Sequence, residues 1–216
     1  MMGQEFSDKV VLITGAGKGA GRALALAFAE RGARVALNDI SPVNVDEVVQ
    51  QITASGGQAR VYLHDVAKKL DVQVLVKQVE DDWGRIDVLI NHAAVEPHVP
   101  LLDLDEWDWH RVLDVNLTGA FLMLQSTGRV MRASGGGVIV NLVPGTGPKV
   151  GKERGAYRAS MGGLVSLTRA AAEELGPAGV RVHAVGTSPD VVQVVLSLCD
   201  SSAAHLNGQI MNVTEG

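Results

Sequence analysis

The first chemistry legible in this chain lies in Thr14-Gly15-Ala16-Gly17-Lys18-Gly19-Ala20-Gly21. That stretch follows an apolar run, Val10–Thr14, and leads into a helix-period segment beginning near residue 20. Glycines there permit a tight turn and let the backbone approach a pyrophosphate, which would rest on the positive N-terminus of the following helix. The next strand-like run ends in Leu37-Asn38-Asp39, with Ile40 directly behind it. A carboxylate about 20 residues past such a turn is placed to accept hydrogen bonds from the ribose hydroxyls of an adenosine. A 2′-phosphate would meet like charge at Asp39, so the spacing predicts NAD rather than NADP, with Lys18 pulling weakly the other way.

The elements that must position these residues alternate along the chain. Strands are predicted at Val10–Thr14, Arg34–Asn38, Ala59–His64, Val88–Asn91, Gly137–Leu142, Val180–Val185 and Gln209–Val213. Helix-period segments lie between them, near 20–31, 43–55, 69–83, 105–133, 154–176 and 190–199. Apolar strands alternating with helices imply a parallel sheet covered on both faces, and right-handed crossovers make it a doubly wound, three-layer α/β/α Rossmann sheet. No linker, repeat or low-complexity stretch divides residues 1–216, so one domain is expected.

Composition narrows the function classes. The chain has 216 residues, 46% hydrophobic and 20% charged, enough for a sizeable core. A net charge of −5 and a pI near 5.6 argue against nucleic acid or an anionic membrane as the main partner. Cys199, the single cysteine, sits in the apolar run Val194–Cys199 and reads as a core thiol rather than a nucleophile. No run reaches membrane-spanning length, and no metal set is visible; the expected location is the cytoplasm.

The turn TGAGKGAG resembles the TGxxxGxG turn of the short-chain dehydrogenase/reductase family, and the resemblance covers essentially the whole chain. The β-ketoacyl-carrier-protein-reductase-like subgroup is the most similar in character. His64-Asp65-Val66 resembles the segment whose aspartate contacts the adenine amino group. Asn91-His92-Ala93-Ala94 resembles the family's NNAG segment, with His92 for the second Asn and Ala94 for Gly. His92 is expected as a hydrogen-bonded structural residue rather than a ligand-facing one.

The resemblance implies an NAD-linked interconversion of a secondary alcohol and a ketone. In that family a tyrosine delivers the proton, a lysine lowers its pKa and binds the nicotinamide ribose, a serine holds the substrate oxygen, and an asparagine holds a relay water. Asn116, in Leu113–Phe121, matches the asparagine, and Tyr157 matches the tyrosine. The lysine position holds Met161, one helical turn from Tyr157 and on the same side. The serine position holds Pro144, with neither hydroxyl nor backbone N–H. A tyrosine near pKa 10 must fall by roughly 3 units to work near neutrality, about 4 kcal/mol that a thioether does not supply. Losing a donor to the reacting oxygen costs on the order of 10²–10³ in rate. Lys149, Lys152, Arg154 and Arg158 are the nearby cations that could substitute, although they read more naturally as solvated loop charges. The family also carries a Pro-Gly turn and a helical lid after the sixth strand, where this chain has only Gly186-Thr187-Ser188-Pro189 before a helix from Asp190. Water exclusion and substrate positioning should suffer.

Three functions remain open on the sequence. They are an NAD(H)-binding protein impaired in catalysis, a working oxidoreductase on a small carbonyl or alcohol that uses Tyr157 with a substitute cation, and a structural or regulatory partner of an active homologue. A homodimer or homotetramer is expected on the segments Leu104–Ala133 and Ala156–Leu175, which carry more apolar positions than one sheet-facing stripe needs.

Overall fold

The computed structural model describes residues 5–144 and 152–211. Strands β1 (Val10–Thr14), β2 (Arg34–Asp39), β3 (Gln58–Leu63), β4 (Val88–Asn91), β5 (Gly137–Pro144), β6 (Val180–Thr187) and β7 (Ile210–Met211) form one parallel sheet in the order β3-β2-β1-β4-β5-β6-β7. Helices α1 (Gly19–Glu30), α2 (Pro42–Ala54), α3 (Lys69–Trp83), α4 (Glu106–Leu113), α5 (Ala120–Ala133), α6 (Gly155–Leu175) and α7 (Val191–Cys199) link the strands.

Burial on both faces explains why β1 reads Val-Val-Leu-Ile-Thr with no polar alternation. Successive side chains still point to opposite sides. Val11 and Ile13 join Leu24 and Phe28 of α1 and Val195 of α7 in one core. Val10 and Leu12 join Leu75 of α3, Met123 of α5 and Ala171 of α6 in the other. Each large apolar side chain so buried stabilises the fold by roughly 1.5–3 kcal/mol. Among the described residues no helix is long and apolar enough to cross a membrane.

The sheet reverses its winding between β1 and β4, which pair directly through Val11↔Val88, Leu12↔Leu89 and Ile13↔Ile90. The loops leaving their C-terminal ends diverge and open a crevice, the usual ligand position in such sheets.

Several sequence boundaries need correction. The helix expected over 105–133 is α4 and α5 separated by a π-helical turn at Asp114–Gly119. Its wider turn accompanies a buried polar anchor, Asn116, described below. Strands β5 and β6 run two residues further than the pattern suggested, pairing Val143↔Gly186 and Pro144↔Thr187. Pro144 is tolerated because it is the last residue of its strand, where a missing N–H leaves no interior gap in the ladder. The last strand begins at Ile210, one residue after the expected Gln209, and is described through Met211; residues 212–213 of the expected strand lie outside the described residues.

His183 of β6 is fully buried. Its Nδ1 accepts from the Gln209 N–H at 3.4 Å, which puts the proton on Nε2, where it has no partner. Burial, and then the neighbouring Arg181, depress its pKa to about 4. The unfolded chain therefore binds a proton before the folded one does. The resulting stability is complete above about pH 6.5 and is lost as pH falls toward 4. Urea midpoints at pH 7 and pH 5 should differ by about 2 kcal/mol from this group. His183→Leu should remove that part of the difference, and an unchanged difference would exclude His183 as its source.

Candidate cofactor and catalytic site

A cleft of about 480 Å³ occupies the crevice at the switch point. Gly15, Lys18, Gly19, Asp39, Ile40, Asp65, Val66, Ala93 and Ala94 border it, as their sequence positions led one to expect. Gly17, Ala20 and Gly21 do not; they shape the turn from behind. Gly15 has φ +64°, and a Cβ there would lie 2.9 Å from the Ala93 Cα. A Cβ on Gly21 would come within 2.5 Å of the Gly15 carbonyl oxygen. Only glycine lets β1, the turn and the loop after β4 approach this closely.

Asp39 is fixed by backbone. Its Oδ2 accepts from the Gly17 N–H at 2.9 Å and its Oδ1 from the Ser41 N–H at 3.0 Å. The carboxylate thus braces the glycine turn while bordering the cleft. Asp65 Oδ1 accepts from the Ala67 N–H at 3.0 Å, which orients that side chain too.

His92 is hydrogen-bonded within the turn and also lies on the cleft wall. Its Nδ1 lies 2.9 Å from the Gly15 carbonyl, and a carbonyl only accepts, so Nδ1 carries a proton. The imidazole also borders the cleft, with Nε2 on the side facing Gly19. Burial holds its pKa below the ordinary value, partly offset by the Gly15 carbonyl and the Asp39 carboxylate. Asn91 lies away from the cleft wall. It is buried and donates to Asn141 Oδ1 at 2.8 Å, while Asn141 donates to Thr168 Oγ1 at 2.9 Å. This polar chain ties β4 to β5 and α6. Sequence reading passed over several wall residues, among them Asn38, Asn44, Val95, Arg111 and Val115. Asn38 was visible as a polar residue in an apolar strand; its amide donates to the carbonyls of Tyr62 and His64. Arg111, on a helix of ordinary period, gave no such signal.

The remaining candidates gather at the C-terminal ends of β4 and β5 and the start of α6. Asn116 is buried, accepts from the Val95 N–H at 2.8 Å and donates to the Val95 carbonyl at 3.0 Å. Its amide also donates to Ser160 Oγ, a buried hydroxyl that sequence reading missed. Met161 is 5% exposed within an apolar cluster that includes Val143, Leu164 and Ala184, and Tyr157 packs against the same cluster. Burial raises the Tyr157 phenol above its ordinary value and the Glu96 carboxylate adds to the rise; Arg154 and Arg158 oppose it without cancelling it. Arg154 is paired with Glu96, Nε to Oε1 at 2.9 Å. Lys149 lies outside the described residues, and Lys152 is exposed. No group of three or more metal-ligating side chains occurs among the described residues.

A doubly wound parallel sheet with this glycine turn and carboxylate at its switch point places the protein in the Rossmann class. Within it, the chain belongs to the short-chain dehydrogenase/reductase family, whose short chain dehydrogenase model matches residues 9–196. It is 41% identical over 180 residues to an uncharacterized oxidoreductase of Thermotoga maritima, covering 83% of this chain and 71% of that one. It is 31% identical to the 3-oxoacyl-acyl-carrier-protein reductase of the same organism, covering 96% of this chain and 97% of the relative. That second alignment runs over 238 positions against the 216 residues here, so at least 22 positions of the relative have no counterpart. A 7α-hydroxysteroid dehydrogenase complexed with NADH and 7-oxo glycochenodeoxycholic acid superposes with a TM-score of 0.92 at 26% identity, over 99% of this chain and 95% of that one.

Because Asp39 holds the Gly17 and Ser41 N–H groups, its loss should be felt without any ligand. Asp39→Ala is expected to cost about 2 kcal/mol of unfolding free energy, as hydrogen bonds to charged groups typically do. Urea unfolding of the ligand-free protein measures this, and an unperturbed midpoint would show that the brace contributes nothing.

Proposed function

We propose that this chain binds NAD(H), in preference to NADP(H), and that it is an impaired oxidoreductase of the alcohol–ketone type. Preference for NAD follows from Asp39, a carboxylate fixed on the cleft wall, where a 2′-phosphate would meet like charge. The glycine turn and α1 would hold the pyrophosphate, Asp39 the adenosine ribose, and Asp65 with Val66 the adenine. At Gly15 and Gly21 a Cβ would lie 2.9 and 2.5 Å from other backbone, so the turn keeps its shape only with glycine there, and the cradle fits the group. When bound, the cofactor supplies hydride or accepts it.

One observation carries the impairment: Met161 is packed in an apolar cluster beside a tyrosine whose pKa lies above its ordinary value. A proton donor of that kind needs a cation, and Arg154 is already engaged by Glu96. Pro144 ends β5 with no hydroxyl for a substrate oxygen. The β6–α7 connection is Ser188–Asp190, too short for a lid. A second reading, a working enzyme with a substitute cation, draws its support from Arg158, which lowers the Tyr157 pKa and whose buried Nε has no hydrogen-bond partner.

Self-association is part of the proposal. Phe121 is 39% exposed, and a groove between α5 and α6 is lined by Phe121, Leu124, Leu167 and Ala170. Close helix approach across a twofold axis would cover it. We place this family member in the cytoplasm as a homodimer or homotetramer, without nucleic acid or membrane as partner.

Steady-state NADH oxidation with a panel of ketones tests the chemistry. Turnover should be very low, and Pro144→Ser with Met161→Lys should raise it more than either change alone, because both act on one reacting oxygen. Brisk turnover of the unmodified chain that Tyr157→Phe and Arg158→Gln each abolish would establish the second reading instead. Light scattering at micromolar concentration should give a dimer or larger; a monomeric mass refutes the helix-face interface.

A further inference from the structure

We propose that the cleft is a site for the adenosine diphosphoribosyl group and is close to indifferent to the nicotinamide end, so that ADP-ribose, NAD+ and NADH bind with similar affinity. The inference rests on the dinucleotide reading above and narrows its ligand.

The two ends of the site are unequally equipped. On the adenosine and pyrophosphate side, polar groups are held in place before any ligand arrives. Asp39 is held by two backbone N–H groups, Asp65 by one, and His92 by the Gly15 carbonyl. Groups fixed in advance lose little freedom on binding, so their hydrogen bonds reach the measured affinity nearly undiminished. On the other side, among the described residues, the positions matching the family's lysine and serine hold Met161 and Pro144. Met161 turns a thioether into an apolar cluster with Val143 and Ala184. Pro144 and Thr187 pair at the strand ends, and Pro144 presents no N–H. Among the described residues, neither Tyr157 nor Met161 borders the cleft.

A ribose diol and a carboxamide seated there would leave water and gain neither an ammonium at position 161 nor a hydroxyl or N–H at position 144, and that loss offsets the area they bury. The nicotinamide riboside half therefore contributes little net affinity. It follows that the oxidation state of the ring, which changes only that half, is not sensed. A role in reporting the NADH-to-NAD+ ratio is then excluded, whereas response to the summed pool of adenosine diphosphoribosyl compounds is retained.

Titration calorimetry on the full chain with ADP-ribose, NAD+, NADH and nicotinamide mononucleotide tests this. The first three are expected to agree within fivefold, with no measurable heat from the mononucleotide. Either dinucleotide binding more than fivefold tighter than ADP-ribose, or the two dinucleotides differing by more than fivefold, would overturn the proposal. If ADP-ribose and both dinucleotides all fail to bind, it is the dinucleotide reading itself that falls. Met161→Lys should raise the ratio of NAD+ to ADP-ribose affinity at least fivefold; should that variant not fold, Met161→Gln serves. An unchanged ratio in a folded variant would overturn the assignment of the indifference to Met161.

Discussion

At the point where β1 and β4 part company, one hydroxyl holds both chains. Thr14 Oγ1 accepts from the N–H groups of His92 and Ala93, each at 3.1 Å, and donates to the Ile90 carbonyl at 3.4 Å. Paired parallel strands whose connections diverge leave backbone groups at the split with no strand partner, and buried groups of that kind are costly unless paired. Thr14 supplies the pairing from a side chain. With the two loops held at that separation, glycine is required at positions 15 and 21, the imidazole of His92 closes over the turn, and a cleft is left between them. The cofactor half of the site follows from satisfying that one split.

The other half has a scaffold as carefully bonded as the first. Asn91, Asn141 and Thr168 form a buried relay across β4, β5 and α6, and Asn116 ties the π turn to Val95 and Ser160. The side-chain N–H groups of Asn91, Asn116 and Asn141 each donate to a partner, while the buried Oδ1 of Asn91 has none. The departures at Met161 and Pro144 are confined to side chains that would touch substrate or cofactor, and Met161 has been absorbed into apolar packing. The framework is that of the short-chain dehydrogenase/reductase family, and these two positions depart from the family's pattern in side chain alone.

Much of this was legible beforehand, for physical reasons that differ by region. Strands β1 and β4 could be read because burial on both faces leaves an uninterrupted apolar run. The glycine turn was legible because close backbone approach admits no other residue. The break between α4 and α5 was not, since a π turn changes the hydrogen-bonding offset without changing which residues are apolar. Likewise Ser160 and Arg111 acquire their positions through tertiary packing, and nothing in their spacing distinguishes them from surface residues of a helix. The extra length of β5 through Pro144 escaped because proline argues against strand except where the ladder stops.

Asp39 joins two properties that are often treated as separable. Its carboxylate borders the cleft, and it also secures the turn that lets the cleft exist. Any substitution at Asp39 must therefore leave Gly17 and Ser41 with another acceptor, so a change to this part of the cleft wall is at the same time a change to the stability of the turn.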